Sequence, residues 1–365
     1  MLLDGLCLIR QGCGIAGAMT GRNLTRLGAT VVGLRRSPCS VCGDVCDEEE
    51  VWRRDWSPGS TVRYEAAEDA GPDPLLTAAE SVGKIDGVII DGASEAEISY
   101  WTQRARVENF PTLIFSTAGL NWGSPIGDSQ RVAEADGLIA EAISGVVGTM
   151  GPEGDPPTPF GYLFGEANLA VRAACLLVDR LLLRSTSGSG PESPDPVIEV
   201  SAADACIDAM DNPWQEFSLP GPVHLVSNSL TRKRYQRTGP QKVGLVPYGM
   251  FQSRDGWVCL VGASTTALLS ERLNRPDLLD DERFQTIEGR VANREFVVGL
   301  LQEWILSFES GEEFVTSLGD QAIAAEARRL DEVSSLDQHL LGFDSPTAPF
   351  RISAKLPEEN VLGGS

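Results

Sequence analysis

One carboxylate stands where a long helix is predicted to begin. The segment "GYLFGEANLA", residues 161–170, places Glu166 between a glycine and small residues, and a largely apolar run follows it. The first turn of a helix offers unsatisfied backbone N–H groups and positive partial charge, which favour an ionised acid. A carboxylate held in this way can act as a nucleophile. The other interpretation is an acid that only stabilises the start of the helix.

A second motif lies near the start of the sequence. "GCGIAG", Gly12 to Gly17, has the spacing G-x-G-x-x-G between a predicted strand and a predicted helix, which is typical of dinucleotide binding. Arg35 and Arg36 follow the next strand, where NAD-binding domains carry an acid, and they suit a ribose phosphate. An NADP-dependent oxidoreductase is one interpretation. The other is that the glycines permit a tight strand-to-helix turn and nothing more.

Metal and histidine chemistry receive little support from the sequence. Cys39 and Cys42 have the C-x-x-C spacing and Cys46 follows, but no second pair or histidine lies nearby. The 365 residues include two histidines, His224 and His339, which disfavours catalysis by a Ser-His-Asp or Cys-His arrangement. We therefore expect no metal site, and a loop of free thiols at the cysteine cluster.

The charge balance excludes several classes of partner. Asp and Glu number 52 against 30 Lys and Arg, a formal net charge of −22 at pH 7. Such an acidic protein repels nucleic acid and anionic membrane surfaces, so neither is an expected partner. No apolar run reaches the length of a membrane span, and the first residues lack the uninterrupted apolar core of a secretion signal. With eight cysteines interpreted as reduced thiols, we expect a cytoplasmic protein.

The elements that position these residues alternate between strand and helix. Apolar runs and glycine stops predict a strand at Leu6 to Ile9, a helix at Ala16 to Leu27 and a strand at Thr30 to Leu34. A second unit contains the buried strand "IDGVIID", which ends at Asp91, a helix from about Ser94 to Val107 and the strand "PTLIFSTAG". This alternation implies a parallel sheet covered by helices on both faces.

The pattern of predicted strands and helices changes in the second half of the sequence. A helix is predicted at 131–145, then a proline-glycine loop, then a buried central helix that begins near Glu166. "VIEVSAADACIDAM" predicts a further strand and helix. Beyond about Pro220, "YGMFQSRDGWVCLVG" predicts an antiparallel hairpin that turns at Arg254 to Gly256, followed by helices through Ser310. A smaller second domain is therefore expected there.

Many segments, in their order along the chain, resemble the class III CoA-transferases, the CaiB/BaiF family of acyl-CoA enzymes. Near the start the similar segments are "IAGAMTGRNLTRLGATVVGLRR" and "SVGKIDGVIID". Further on they are "AEAISGVVGTMG", "RLLLRSTSGSG" and "VIEVSAADA", and in the predicted second domain "YGMFQSRDGWVCLVG" and "RPDLLDDERFQT". Each motif alone is weak, whereas their order and spacing together are specific.

The resemblance implies a fold class and an assembly. The expected fold is α/β, with a Rossmann-like doubly wound parallel sheet and a second, smaller α+β domain, in an interlocked homodimer. We expect a large CoA-binding domain at residues 1–215, completed by 325–365, and a small domain at 225–318.

The resemblance also implies an activity and its residues. "GEAN" stands where the family has glycine, aspartate and small residues, which makes Glu166 the expected nucleophile, one methylene longer than the family's acid. CoA would move from an acyl-CoA donor to a carboxylic acid through a thioester on Glu166. Coenzyme A would be a cosubstrate, with no permanently bound cofactor. The residues expected to bind it are Gly14, Ala16, Gly17, Arg35, Arg36 and Asp91.

Two other functions remain open at this point. The changed nucleophile permits a non-catalytic relative that binds acyl-CoA or pairs with an active homologous subunit. The glycine motif and the paired arginines permit an NADP-dependent oxidoreductase. The related acyl-CoA racemases use a histidine and an aspartate, and "RVAEADGLIAEAISG" contains no histidine, so racemisation is disfavoured.

Overall fold

The computed structural model describes residues 2–12, 14–36, 61–66, 84–117, 136–152, 154–161, 163–187, 195–210, 237–242, 245–262, 266–319 and 323–329. Internal contacts divide the chain into two units, Met1–Asp47 with Ser57–Ala327, and Glu48–Trp56 with Arg328–Ser365. The helices and strands given below all belong to the first unit. The predicted thiol loop at Cys39, Cys42 and Cys46 lies outside the described residues.

Six strands form one parallel sheet. They are β1 (Cys7–Gln11), β2 (Thr30–Arg36), β3 (Thr61–Ala66), β4 (Ile85–Ile90), β5 (Thr112–Ser116) and β6 (Val197–Ser201). Their order across the sheet is β3-β2-β1-β4-β5-β6, and each neighbouring pair runs parallel. Gln11 of β1 is level with Ile90 of β4, so the residues that follow these two strands lie side by side. The prediction of an α/β protein with a parallel sheet is confirmed.

Apolar residues on both faces of the sheet explain why it is covered on both sides. Successive side chains of a strand point to opposite faces, and along β1 Leu8 joins one apolar cluster while Cys7 and Ile9 join another. The second cluster includes Trp101 of helix α2 (Glu95–Glu108). The first includes Leu24 of helix α1 (Ile15–Arg26) and residues of three later helices. The sheet is therefore the middle layer of three.

Local signals in the sequence predicted the ends of α1 and α2 closely. The expected N-cap of α2, Ser94, accepts a hydrogen bond from the N–H of Glu97, and the Glu97 carboxylate accepts one from the N–H of Ser94. This is a capping box, in which two unsatisfied N–H groups are paired reciprocally. Asn109 ends the helix in the left-handed region, with φ 55°. The predicted strand at Thr30 to Leu34 is confirmed as β2, which extends to Arg36.

Three helices near β5 and β6 build the region around Glu166. They are α3 (Gly137–Ser144), α4 (Phe164–Ser187) and α5 (Ala202–Ala209), and each packs against the other two. The predicted strand and helix in "VIEVSAADACIDAM" are confirmed as β6 and α5. We expected α4 to be buried on most sides. Leu169, Ala173 and Leu177 are indeed buried, but Val171 and Leu182 are 56% and 61% exposed, so one face lies open among the described residues.

A second, antiparallel sheet has its own core. Strands β7 (Tyr248–Gln252) and β8 (Trp257–Val261) form the predicted hairpin, and β9 (Ile323–Glu326) pairs with β8 to give the order β7-β8-β9. In the described residues between β8 and β9 there are five α-helices, α6 to α10, at Thr266–Arg272, Glu282–Gln285, Ile287–Ala292, Arg294–Ile305 and Gly311–Leu318. These strands and helices share one core, whose buried residues include Phe251, Phe284 and Phe314. The domain boundaries at 215, 225, 318 and 325 stay predictions.

Membrane insertion of a helix finds no support within the ranges given above. None of the helices there combines the length and the apolar character needed to cross a lipid bilayer.

The capping box of α2 yields a test of local stability. Ser94→Ala removes the hydroxyl that accepts from Glu97, and we expect the free energy of unfolding to fall by about 1 kcal/mol. Urea denaturation measures this change. Ser99→Ala is the matched control, because Ser99 is an exposed residue within the same helix and its replacement should be nearly neutral. Equal effects of the two substitutions would contradict the role assigned to the cap.

Candidate functional site

The glycine turn between β1 and α1 holds a carboxylate of the chain itself. The N–H of Gly14 donates to the backbone oxygen of Asp91 at 2.9 Å, and the N–H of Gly17 donates to Asp91 Oδ2 at 2.7 Å. The N–H of Asp91 donates in turn to the oxygen of Gln11 at 3.0 Å. Asp91 directly follows β4 and is 2% exposed. The start of α1 is thus tied to the carboxyl ends of both central strands.

The spacing of the glycines follows from the room that Asp91 needs. A Cβ at Gly14 would lie 2.0 Å from Cγ of Asp91, and a Cβ at Gly17 would lie 2.7 Å from its Cβ. At Gly12 a Cβ would lie 2.1 Å from the Asp91 backbone oxygen, and the φ of Gly12 is 99°. Any side chain at these three positions would displace Asp91. In this structure the glycine motif is explained by contact with residue 91.

The other residues predicted to bind CoA lie near this turn in different settings. Ala16, in the first turn of α1, is fully buried and belongs to the main apolar cluster. Arg35 and Arg36 end β2, where they pair with Glu65 and Ala66 of β3, and their side chains are outside the described part of the structure. Of the six residues predicted to bind CoA, the structure brings Gly14 and Gly17 into direct contact with Asp91.

Glu166 lies where the N-termini of two helices meet. It is in the first turn of α4, and its Oε1 accepts a hydrogen bond of 3.0 Å from the N–H of Gly137, the first residue of α3. Asp136, the N-cap of α3, accepts from the N–H of Ile139 and so satisfies another donor of the same helix start. Both helix termini present positive partial charge to the Glu166 carboxylate.

Two glycines allow the close approach of α3 and α4. A Cβ at Gly137 would lie 1.9 Å from Oε2 of Glu166, and a Cβ at Gly165 would lie 2.7 Å from the Cα of Gly137. Real Cβ atoms do not tolerate such distances. A side chain at Gly137 would displace the Glu166 carboxyl group, and one at Gly165 would meet the backbone of Gly137 and force the two helices apart. The carboxyl group of Glu166 occupies the space that the missing side chain of Gly137 leaves. Glu166 is accordingly only 8% exposed.

Burial dominates the electrostatics of this site. Loss of solvent raises the pKa of Glu166 above its ordinary value, while the backbone N–H groups of Glu166 and Gly137 act to lower it. The negative charges of Asp136 and Glu141 raise the pKa of Glu166 further. Glu166 therefore holds its proton more firmly than an exposed glutamate does.

Sequence reasoning missed two buried neighbours of Glu166. Glu141 lies one turn after Gly137 on α3 and is 2% exposed, and Cys206 of α5 is fully buried. Burial raises the pKa of Cys206 to about 11, assisted by the charges of Glu141 and Glu166 and opposed by a hydrogen bond with Ser144. One face of α3 carries Gly137, Glu141 and Ser144, because they are three and four residues apart. This spacing is the sequence signal that could have identified Glu141 as a neighbour of the site.

A cavity of about 540 Å³ lies near these helices but does not open onto Glu166. It is bounded by α4, α5 and β6, with Arg172, Cys175, Glu199 and Asp204 among its lining residues. Among the described residues no cluster of three or more His, Cys, Asp or Glu side chains is arranged to hold a metal ion.

The contact between Gly14 and Asp91 can be tested by a double-mutant cycle. Gly14→Ala directs its methyl group at the Asp91 carboxylate, and we expect it to destabilise the fold by about 2 to 3 kcal/mol. In an Asp91→Gly background the same substitution should cost less than about 1 kcal/mol, because the φ of −66° at Gly14 suits alanine. Chemical denaturation of the four proteins measures the coupling. An equal cost in both backgrounds would show that the clash is not with residue 91.

The raised pKa of Glu166 predicts a pH-dependent effect of Glu166→Gln. A carboxyl whose pKa is raised on folding stabilises the folded state below its unfolded pKa, and that stabilisation is lost as the pH rises through the folded pKa. Glutamine has no such loss and can still accept from Gly137. The variant should therefore gain stability relative to the parent chain as the pH rises from 4.5, the ordinary pKa of a glutamate, measured by urea denaturation. A difference between the two proteins that stays constant as the pH rises would contradict the prediction.

The chain is similar in sequence to several CoA-transferases. The chain is 27% identical over 207 residues to the succinyl-CoA:mesaconate CoA-transferase of Haloarcula marismortui, covering 56% of this chain and 48% of that one. It is 25% identical over 175 residues to the succinyl-CoA–D-citramalate CoA-transferase of Chloroflexus aurantiacus, covering 47% and 40%. The human succinyl-CoA:glutarate CoA-transferase is 27% identical over 214 residues, covering 54% and 44%. The matches thus span less than half the length of these relatives.

Solved structures share the fold across nearly the whole chain. A CaiB/BaiF family protein from Brucella suis has a TM-score of 0.68 at 18% identity, covering 96% of this chain and 92% of that one. A hypothetical protein from Mycobacterium tuberculosis has a TM-score of 0.71 at 16% identity, covering 97% and 94%. The sequence profile of CoA-transferase family III matches residues 100–341, well over half of the chain. The resemblance found in the sequence is confirmed, and the chain belongs to CoA-transferase family III.

Proposed function

We propose that this protein transfers CoA from an acyl-CoA donor to a carboxylic acid, with Glu166 as the nucleophile. The observation that carries the proposal is the position of Glu166, in the first turn of α4 and hydrogen-bonded to the first N–H of α3. Backbone donors at helix N-termini stabilise a carboxylate without any metal ion or histidine. Family membership supports this activity.

The names of the relatives suggest which substrates to test first. Three of them carry succinyl-CoA in their names, together with mesaconate, citramalate or glutarate. All of these acids are dicarboxylic. We therefore propose a short dicarboxylic acyl-CoA as donor and a second dicarboxylic acid as acceptor.

The proposed reaction proceeds by exchange of acyl bonds on Glu166. Its carboxylate oxygen attacks the thioester carbonyl, the C–S bond breaks, and a mixed anhydride forms while CoA leaves as the thiolate. The thiolate attacks the Glu166 carbonyl carbon, which releases the donor acid and leaves a glutamyl-CoA thioester. The acceptor carboxylate attacks this thioester and expels the thiolate, giving a second anhydride. Attack of the thiolate on the acceptor's acyl carbon yields the new acyl-CoA and restores Glu166.

The burial of Glu166 defines what this mechanism requires. Its Oε2 lies against Gly137 and its pKa is raised by burial, so attack needs loss of the proton and access of a thioester to the carboxylate. The resemblance to the family implies an aspartate at this position, which would end one methylene short of the space beside Gly137. The same burial favours a second candidate function, a non-catalytic relative that binds acyl-CoA or pairs with an active subunit.

The order of the strands supports a Rossmann-like assignment of the large domain. The order β3-β2-β1-β4-β5-β6 is that of dinucleotide-binding sheets, whose ligands lie at the carboxyl ends of the strands where the order reverses. In this chain those ends carry Gly14, Asp91 and, on β2, Arg35 and Arg36. We propose that CoA lies along this edge and that two copies of the chain form an interlocked dimer. The oxidoreductase alternative gains no support, because the N–H groups of Gly14 and Gly17 already donate to Asp91.

The nucleophile is tested by substitution and by mass. With succinyl-CoA and glutarate or mesaconate, Glu166→Gln should lower the transfer rate by at least about 10³-fold and abolish a covalent CoA adduct. Chromatography of the CoA esters and intact-protein mass spectrometry measure these outcomes. Glu95→Gln is the matched control, since Glu95 is an exposed glutamate in the first turn of α2 and should be dispensable.

The outcomes separate the two candidate functions. Full transfer activity in Glu166→Gln would refute the assigned nucleophile. Stabilisation of the parent chain by acyl-CoA in thermal melting, without transfer or adduct for any tested pair of acids, would identify the non-catalytic relative.

A further inference from the structure

We propose that Asp91 is a specificity-determining residue that permanently fills the anion position of the glycine turn and so keeps nucleotide phosphates out of it. This role of Asp91 concerns the binding of phosphate at the start of α1. It does not depend on Glu166 being a nucleophile.

The hydrogen bonds show that the donors of the turn are already used. In dinucleotide-binding domains the N–H groups at such a turn and helix start receive the pyrophosphate. Here the N–H of Gly17 donates to Oδ2 of Asp91 at 2.7 Å, and the N–H of Gly14 donates to its backbone oxygen at 2.9 Å. A phosphate at this position would have to displace the Asp91 carboxylate from the N–H of Gly17 and the Asp91 backbone oxygen from the N–H of Gly14.

The shape of the turn fits the carboxylate closely. At Gly14, a Cβ would come within 2.2 Å of each of the three carboxyl atoms of Asp91, and at Gly17 within 2.7 Å of its Cβ. The glycines that would let a phosphate approach the backbone therefore let the Asp91 side chain approach it. With 2% of Asp91 exposed, no room is left for a second anion between the side chain and α1.

The charge at the start of α1 fits the same interpretation. The first turn of α1 contains no acidic residue, so Asp91 supplies the negative charge that a helix N-terminus favours. A dianionic phosphate beside this buried carboxylate would meet like-charge repulsion in a poorly solvated position. The phosphates of CoA must then be bound by other groups than these two amides.

Removing the side chain should convert the turn into an anion site. The experiment compares thermal melting of the full chain in sodium chloride and in 20 mM sodium pyrophosphate at equal ionic strength. The parent protein should melt at the same temperature in both. Asp91→Gly should melt lower in chloride and rise by about 2 to 4 °C in pyrophosphate, as expected for binding in the low millimolar range.

Two further variants separate occupancy from overall charge. Asp91→Asn keeps an oxygen that can accept from Gly17 and should show no pyrophosphate effect, although it has lost the same charge. Asp179→Asn removes an exposed carboxylate of α4 and should also show none. A pyrophosphate effect of equal size in all variants would overturn the proposal, because reduced repulsion alone would then explain it. Asp91→Gly that folds and does not respond would also overturn it.

A measurement on the parent chain covers the case in which Asp91→Gly does not fold. With ¹⁵N-glycine labelling, the N–H resonances of Gly14 and Gly17 should not move during titration with pyrophosphate, since both N–H groups are engaged by Asp91. A saturable shift of either resonance would show that phosphate reaches the turn, and the proposal would be wrong.

Discussion

A carboxylate removed from water must find hydrogen-bond donors inside the protein, and for two buried acids of this chain the N-termini of helices supply them. Asp91 takes the N–H of Gly17 in α1, and Glu166 takes the N–H of Gly137 in α3. A Cβ at Gly14 or at Gly137 would occupy the space of the carboxyl group. The two contacts join elements far apart in sequence. The first ties the start of α1 to the end of β4, and the second ties the first turns of α3 and α4 together.

The two carboxylates nevertheless differ in chemical character. Asp91 sits between two strand ends and one helix, with its backbone N–H, backbone oxygen and side chain all bonded to neighbouring elements. Glu166 has like charges nearby in Asp136 and Glu141, and burial raises its pKa. Acids with perturbed pKa values are concentrated at functional sites. One buried acid of this fold thus joins three elements, and the other is the nucleophile that we propose.

The sequence predicted what depends on neighbours along the chain. The cap at Ser94, the hairpin at Arg254 to Gly256 and the helix start at Glu166 follow from patterns a few residues long, and the structure confirms all three. The contact of Glu166 with Gly137 joins residues 29 positions apart, and that of Asp91 with Gly17 joins residues 74 apart. Such pairs depend on strand order and helix packing, so a motif such as G-x-G-x-x-G indicates a glycine turn without indicating what fills it.

Gly137 also constrains how this chain can change during evolution. A methyl group at position 137 would coincide with the carboxyl group of Glu166, so alanine at 137 would displace that carboxyl group. A lineage that exchanges Glu166 for a shorter residue vacates that volume and becomes free to accept alanine at 137. The reverse order first expels the Glu166 carboxyl group from its space beside position 137. We therefore expect a fixed order of substitution, in which a shorter side chain at 166 appears before a side chain at 137.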